Sequence, residues 1–68
     1  MYEKLSPREK EVFWLISEGL SNKEIAAKLF ISPHTTWKHR ENIFRELGVN
    51  KAFEVIKLAG KMKGNGDT

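Results

Sequence analysis

Residues 21–47 read SNKEIAAKLFISPHTTWKHRENIFREL, and how this run folds decides the architecture of the chain. Ser21-Asn22-Lys23-Glu24 places a hydroxyl at a helix N-cap and a carboxylate three residues on, the two halves of a capping box. The short helix it opens turns Ile25, Ala26 and Leu29 inward, and the small Ala26 and Ala27 allow a second helix to approach closely. Ser32-Pro33 is another start signal, an N-cap followed by proline at the first helical position. The helix it begins continues to Leu47, where Gly48 ends it. Phe30 and Ile31 cannot both face solvent in so small a chain, so the intervening turn is predicted to be buried on one side. Two capped helices joined by a tight turn, the second longer, are the layout of a helix-turn-helix.

The flanks extend the same pattern. Ser6-Pro7-Arg8-Glu9 combines N-cap, proline and a glutamate three residues after the cap, predicting a first helix over residues 7–18. Val12, Leu15 and Ile16 share one face of it, and Gly19 supplies a left-handed stop. A fourth helix is predicted from Asn50, acting as N-cap, with Ala52, Val55, Ile56 and Ala59 on its inner stripe and a weakened end at Gly60. Phe13, Phe30, Phe44 and Phe53 are read as core or core-margin residues. Residues 63–68, KGNGDT, have no apolar content and are predicted to form a disordered tail. No strand signal, repeat or internal linker occurs. The fold class is therefore all-α, a compact four-helix domain over residues 4–62 containing the helix-turn-helix.

Composition narrows the function. Sixty-eight residues make a single domain near the lower size at which a chain buries a useful core unaided. With no cysteine, neither disulfides nor thiolate metal ligands can reinforce it. No stretch approaches a membrane span and residues 1–10 lack the shape of a signal peptide, so a cytoplasmic protein is expected. The net charge of +3 is unevenly spread: residues 1–31 hold five basic and five acidic residues, and residues 32–68 hold seven against four. A basic second half suits a polyanionic partner.

The third helix, residues 33–47, has two distinct faces. On a helical wheel Ile43 and Leu47 fall within about 20° of Thr36, and Arg40 within about 40°, which defines the inner side. His34, Trp37, Lys38, Glu41 and Arg45 gather on the other side. Lys and Arg neutralise phosphates or donate to guanine, and Glu accepts from the cytosine amino group. The helix starts at Ser21 and Ser32 offer free N–H groups to a phosphate, and the Thr35 hydroxyl adds a contact.

Residues 5–12 (LSPREKEV) and 18–26 (EGLSNKEIA) resemble the LuxR-type, or GerE-type, helix-turn-helix domain. The match runs on through Leu29-Phe30-Ile31-Ser32, Thr35, His39, Asn42-Ile43 and Leu47-Gly48-Val49, covering residues 4–60 without gaps. The resemblance implies a transcription regulator that binds double-stranded DNA through its third helix and forms a homodimer through its fourth. It also implies base-reading roles for Trp37, Lys38 and Glu41, and backbone contacts by Asn22, Lys23, Thr35 and Arg45; His34 is read from its place on the helix as solvated or near phosphate. The dimer helix corresponds to residues 51–62, with Val55, Leu58, Ala59 and Met62 as its contacts. RNA polymerase is a further possible partner. The chain departs from the usual family pattern where it carries Thr36 in place of valine, Trp37 in place of a lysine or similar polar residue, Glu41 in place of an often neutral or basic residue, and Asn50-Lys51-Ala52 in place of basic and small polar residues after Val49.

Other functions are weaker fits. His34 and His39 stand five apart, neither of the helical spacings a metal pair prefers, so no metal site is expected. Glu9, Glu11, Glu24 and Glu46 read as capping and surface charges, so no catalytic residue, cofactor or small-molecule ligand is expected. Trp14 lies off the inner stripe of the first helix and either packs over helix ends or meets a partner. The rival function is a protein-interaction module that binds another regulator or RNA polymerase through Trp14 and Trp37. A sigma-like promoter-binding fragment shares only the helix-turn-helix. The chain is either a standalone regulator or the output domain of a longer one.

Overall fold

The computed structural model describes the backbone of residues 2–67 and the side chains of residues 2–63. A short 3-10 turn at Tyr2–Lys4 leads into four helices: α1 (Pro7–Ser17), α2 (Asn22–Leu29), α3 (Pro33–Leu47) and α4 (Ala52–Asp67). No strand occurs among the described residues.

Side-chain caps start the first three helices where the sequence placed them. Ser6 Oγ accepts from Glu9 N at 3.1 Å while Glu9 Oε1 accepts from Ser6 N at 3.2 Å. The same reciprocal pair joins Ser21 and Glu24, at 3.2 and 2.7 Å. At α3, Ser32 Oγ accepts from Thr35 N at 3.0 Å and donates to Thr35 Oγ1 at 2.9 Å. Each cap satisfies a backbone donor that the helix ladder leaves over.

One stop is used three times. After α1, α2 and α3 the chain passes through a left-handed residue, Gly19 (φ 89°), Phe30 (φ 58°) and Gly48 (φ 70°). The N–H that follows each reaches back five residues: Leu20 to Leu15, Ile31 to Ala26 and Val49 to Phe44, at 3.3, 3.0 and 3.0 Å. This is the Schellman arrangement, in which the residue after the left-handed one turns toward the helix. Leu20 and Val49 accordingly pack against the core, and Ile31 is half-buried.

α1 is the centre of the packing, touching α2, α3 and α4, while α2 lies against α3. Leu5, Val12, Phe13, Leu15, Ile16, Ile25, Ile43, Val55 and Ala59 form the core. Thr36 is also fully buried, and its hydroxyl donates to the Ser32 carbonyl one turn earlier at 3.2 Å. Trp14 is half-buried at the edge of this core. Its indole N–H donates to Tyr2 Oη at 2.8 Å, and its ring meets Tyr2 and Phe13 edge to face.

Several expectations about individual residues need correction. Phe30 is 94% exposed rather than buried, because the left-handed position turns its side chain away and gives the inward place to Ile31. Phe53 (64% exposed) and Ile56 also face solvent, since α4 meets α1 through Val55 and Ala59. Asn50 does not open α4, which begins at Ala52; its backbone N–H donates instead to Glu54 Oε1 at 3.4 Å. Gly60 interrupts nothing, having no left-handed φ, and α4 runs through it to Asp67. The tail expected over residues 63–68 falls largely outside the described residues, which leave out the side chains of residues 64–67 and the whole of Thr68.

Candidate nucleic-acid interface

The exposed side of α3 is free because its other side is held at several points. Thr36 and Ile43 anchor it in the core, with Leu47 packed partly against the same cluster. Glu9 supplies the polar tie. Besides capping α1, its Oε2 accepts from Asn42 Nδ2 at 3.2 Å and lies 3.6 Å from His39 Nδ1. Asn42 Oδ1 in turn accepts from Arg45 Nη1 at 3.4 Å. One carboxylate thus joins the start of α1 to the middle of α3 and, through Asn42, helps to aim the Arg45 guanidinium.

The starts of α2 and α3 are brought together by Asn22. Its Nδ2 donates to the Pro33 carbonyl at 3.0 Å, while its Oδ1 is buried with no hydrogen-bond partner among the described residues. The N-terminal ends of two helices, each carrying partial positive charge, therefore sit side by side. Capping engages Glu24 N and Thr35 N, so earlier N–H groups of each first turn remain outside the ladder. Lys23, His34 and Thr35 are all exposed at this junction.

The residues expected to read bases lie together on the outer side of α3. Lys38 and Glu41 are exposed, and Trp37 is half-exposed, its indole stacked on the His34 imidazole. Among the described residues the side chains of Lys23, Lys38 and Glu41 make no hydrogen bond or ion pair. Their charges are fully available to an outside partner. The face offers cationic, anionic and aromatic groups side by side, a combination able to neutralise phosphate and to probe base edges.

Not every expected site residue is placed for contact. Asn22 spends its amide N–H on the Pro33 carbonyl, so it positions the two helix starts. Of the four expected dimer residues, Val55 and Ala59 are buried against α1, because they supply the apolar stripe that docks α4. Leu58 is half-buried and Met62 exposed. Leu58 also lines a shallow cleft with Leu47, Val49 and the stems of Glu54, Lys57 and Lys61. Glu9 and Asn42 were missed as site-shaping residues. Their signal lay in the polar series His39, Asn42, Arg45, spaced at three residues along the flank of α3.

Trp14 is drawn into the domain by Tyr2 and Phe13, and the Lys63 ammonium lies 5.7 Å from the centroid of its ring. That removes one of the two aromatic groups on which a protein-interaction reading relied. Among the described residues no group of His, Cys, Asp and Glu side chains is arranged to hold a metal ion, and no helix is long and apolar enough to cross a membrane.

Over 59 residues the chain is 44% identical to the oxygen regulatory protein NreC of Staphylococcus aureus, covering 87% of this chain and 27% of NreC. A Mycobacterium bovis protein whose name describes an HTH-type transcriptional regulator is 40% identical over 57 residues, 84% of this chain and 6% of that protein. The chain therefore spans only a small part of the length of these relatives. Among solved structures, the response regulator ChrA of a heme-sensing two-component system superposes with a TM-score of 0.78 at 41% identity, over 87% of this chain and 29% of ChrA. The match to the description "Bacterial regulatory proteins, luxR family" extends over residues 3–59, nearly the whole chain and all of the helix-turn-helix. The chain belongs to the luxR family of bacterial regulatory proteins.

Proposed function

We propose that the domain binds double-stranded DNA sequence-specifically as a transcription regulator, laying α3 in the major groove. One observation carries the reading. The side of α3 that bears Trp37, Lys38 and Glu41 is open to solvent, and neither charge is used inside the domain. In this arrangement Lys38 donates to a guanine edge or a phosphate and Glu41 accepts from a cytosine amino group. The paired starts of α2 and α3 receive backbone phosphates through Lys23, His34, Thr35 and free N–H groups, and Arg45 meets a phosphate further along.

A single module of this kind buries only about 600–1,000 Å² on DNA. Useful affinity then calls for two copies on half-sites about one helical turn apart. The outer part of α4, with half-buried Leu58 and exposed Met62, is the proposed contact between copies, and Val55 and Ala59 hold that helix in place from beneath.

A salt titration against duplex DNA tests the proposal. The logarithm of affinity should fall linearly with the logarithm of salt concentration, with a slope of about −0.9 for each phosphate neutralised. Lys23→Ala and Arg45→Ala should each flatten that slope by about one contact, with little dependence on sequence. Absence of binding at low salt overturns the reading.

A further inference from the structure

Trp37 is the largest apolar group on the outer side of α3 and is 49% exposed. The His34 ring, one turn earlier, stacks on it with centroids 6.2 Å apart and planes 20° from parallel. We propose that this pair is a specificity element for the C5-methyl group of a pyrimidine, with Trp37 making the contact and His34 as its positioning residue. The inference rests on the reading that α3 docks in the major groove.

Groove chemistry leaves the indole few alternatives. It has one N–H donor, no acceptor and two broad apolar faces, so it cannot form the bidentate pairs that Arg, Lys, Asn or Gln make with purine edges. The other groups presented in the major groove are hydrogen-bonding ones: N7 and O6 of guanine, N7 and N6 of adenine, N4 of cytosine and O4 of thymine. Burying the indole against those would strip them of water without a partner. A C5-methyl is the group that gains from an apolar cover. Around Trp37 the exposed neighbours Lys38 and Glu41 are charged, so the indole is the apolar element of the face. His34 restricts the indole by lying along it, and a ring already fixed in orientation loses less freedom on contact.

The same methyl is carried by thymine and by 5-methylcytosine, and the experiment separates the two. A random-sequence duplex library is enriched on the protein, and the winning duplex is resynthesised in two series. One replaces each thymine in turn by uracil, and the other methylates each cytosine at C5. Wild type should lose affinity about fourfold for each critical thymine methyl removed, or gain by a similar factor where a cytosine is methylated. The first result assigns thymine and the second assigns methylcytosine. Trp37→Ala and Trp37→Gln should bind with a flat response in both series, and circular dichroism should show their helix content intact. His34→Ala should weaken the methyl response and His34→Phe restore it, since phenylalanine keeps a stacked ring without the imidazole nitrogens.

A wild-type protein indifferent to methyls in both series overturns the inference while leaving groove docking in place. So does a Trp37 variant that responds as wild type does. An unchanged response in His34→Ala overturns the positioning role of His34. Failure to enrich any duplex, with no binding at low salt, overturns groove docking and this inference with it.

Discussion

Phe30 sets up a sharp test of how the turn of the helix-turn-helix is stabilised. The chain uses the same left-handed stop three times, with glycine at positions 19 and 48 and phenylalanine at 30. A left-handed conformation costs an L-residue about 1–2 kcal/mol that glycine avoids. Phe30 recovers none of this by burial, being 94% exposed. Phe30→Gly should relieve the strain but give back about 0.4–1 kcal/mol by loosening the unfolded chain. The expected net effect is a stabilisation of about 0.5–1 kcal/mol. Phe30→Asn tolerates the conformation without the full entropy penalty and should gain a similar amount. Phe30→Ala keeps the strain and loses an exposed ring, so it should stay within about 0.5 kcal/mol of wild type.

Urea unfolding followed by circular dichroism measures all three, and thermal melting gives a second reading. For a domain of this size 1 kcal/mol moves Tm by about 4–8 °C. The order expected is glycine and asparagine above wild type, with alanine near it. Destabilisation of the alanine and glycine variants alike, by about 1 kcal/mol or more, would refute the reasoning. It would mean that the phenyl ring contributes packing which its exposure denies.

Other changes probe the frame of the site. Thr36→Val should raise stability by about 0.5–1 kcal/mol, because the Ser32 carbonyl keeps its backbone N–H donor when the hydroxyl is lost and a methyl joins the core; chemical denaturation checks the sign. Glu9→Ala should cost about 0.5–1.5 kcal/mol through loss of its hydrogen bond to the Ser6 N–H, and the loss of its bond to Asn42 should disorder Arg45, seen as weaker DNA binding with a shallower salt slope. Val55→Ala should destabilise the monomer by about 1 kcal/mol or more, as a core truncation does. Met62→Glu, at an exposed position of α4, should leave stability within about 0.5 kcal/mol and reduce association of two copies on DNA, read by sedimentation of the complex.

Most of the scaffold was legible in the sequence because caps and stops are local. Ser6, Ser21 and Ser32 act through neighbours three residues away, and Gly19 and Gly48 through their own φ, so spacing alone found them. Phe30 escaped because its residue type argues for burial while its backbone position argues for exposure, and only the reach of the Ile31 N–H back to Ala26 decides between them. The inner stripe of α4 was right at Ala52, Val55 and Ala59 and wrong at Ile56, for a similar reason. Val55 and Ala59 meet α1, but Ile56 sits one residue round the helix and falls outside the contact, a rotation that tertiary packing sets. At the candidate interface the outer positions Lys38, Glu41 and Arg45 followed from periodicity. The ties from Glu9 to Asn42 and from Asn22 to Pro33 span thirty-three and eleven residues, beyond any local pattern.

This division between local and long-range links has a consequence for how stability and recognition separate. The side chains that fix α3 are Thr36, Ile43, Asn42 and, from α1, Glu9, and the first two are fully buried. Those offered outward are His34, Trp37, Lys38 and Glu41, whose described contact within the domain is the stack of His34 on Trp37. Substitutions in the outward set should therefore alter the proposed DNA recognition at little cost to folding, and substitutions in the fixing set should act on folding first. Arg45 stands between the two, exposed yet bonded to Asn42. Its replacement should weaken DNA binding without unfolding the domain. Replacement of Asn42 should do both, releasing Arg45 and leaving the Glu9 carboxylate one partner short at the junction of α1 and α3.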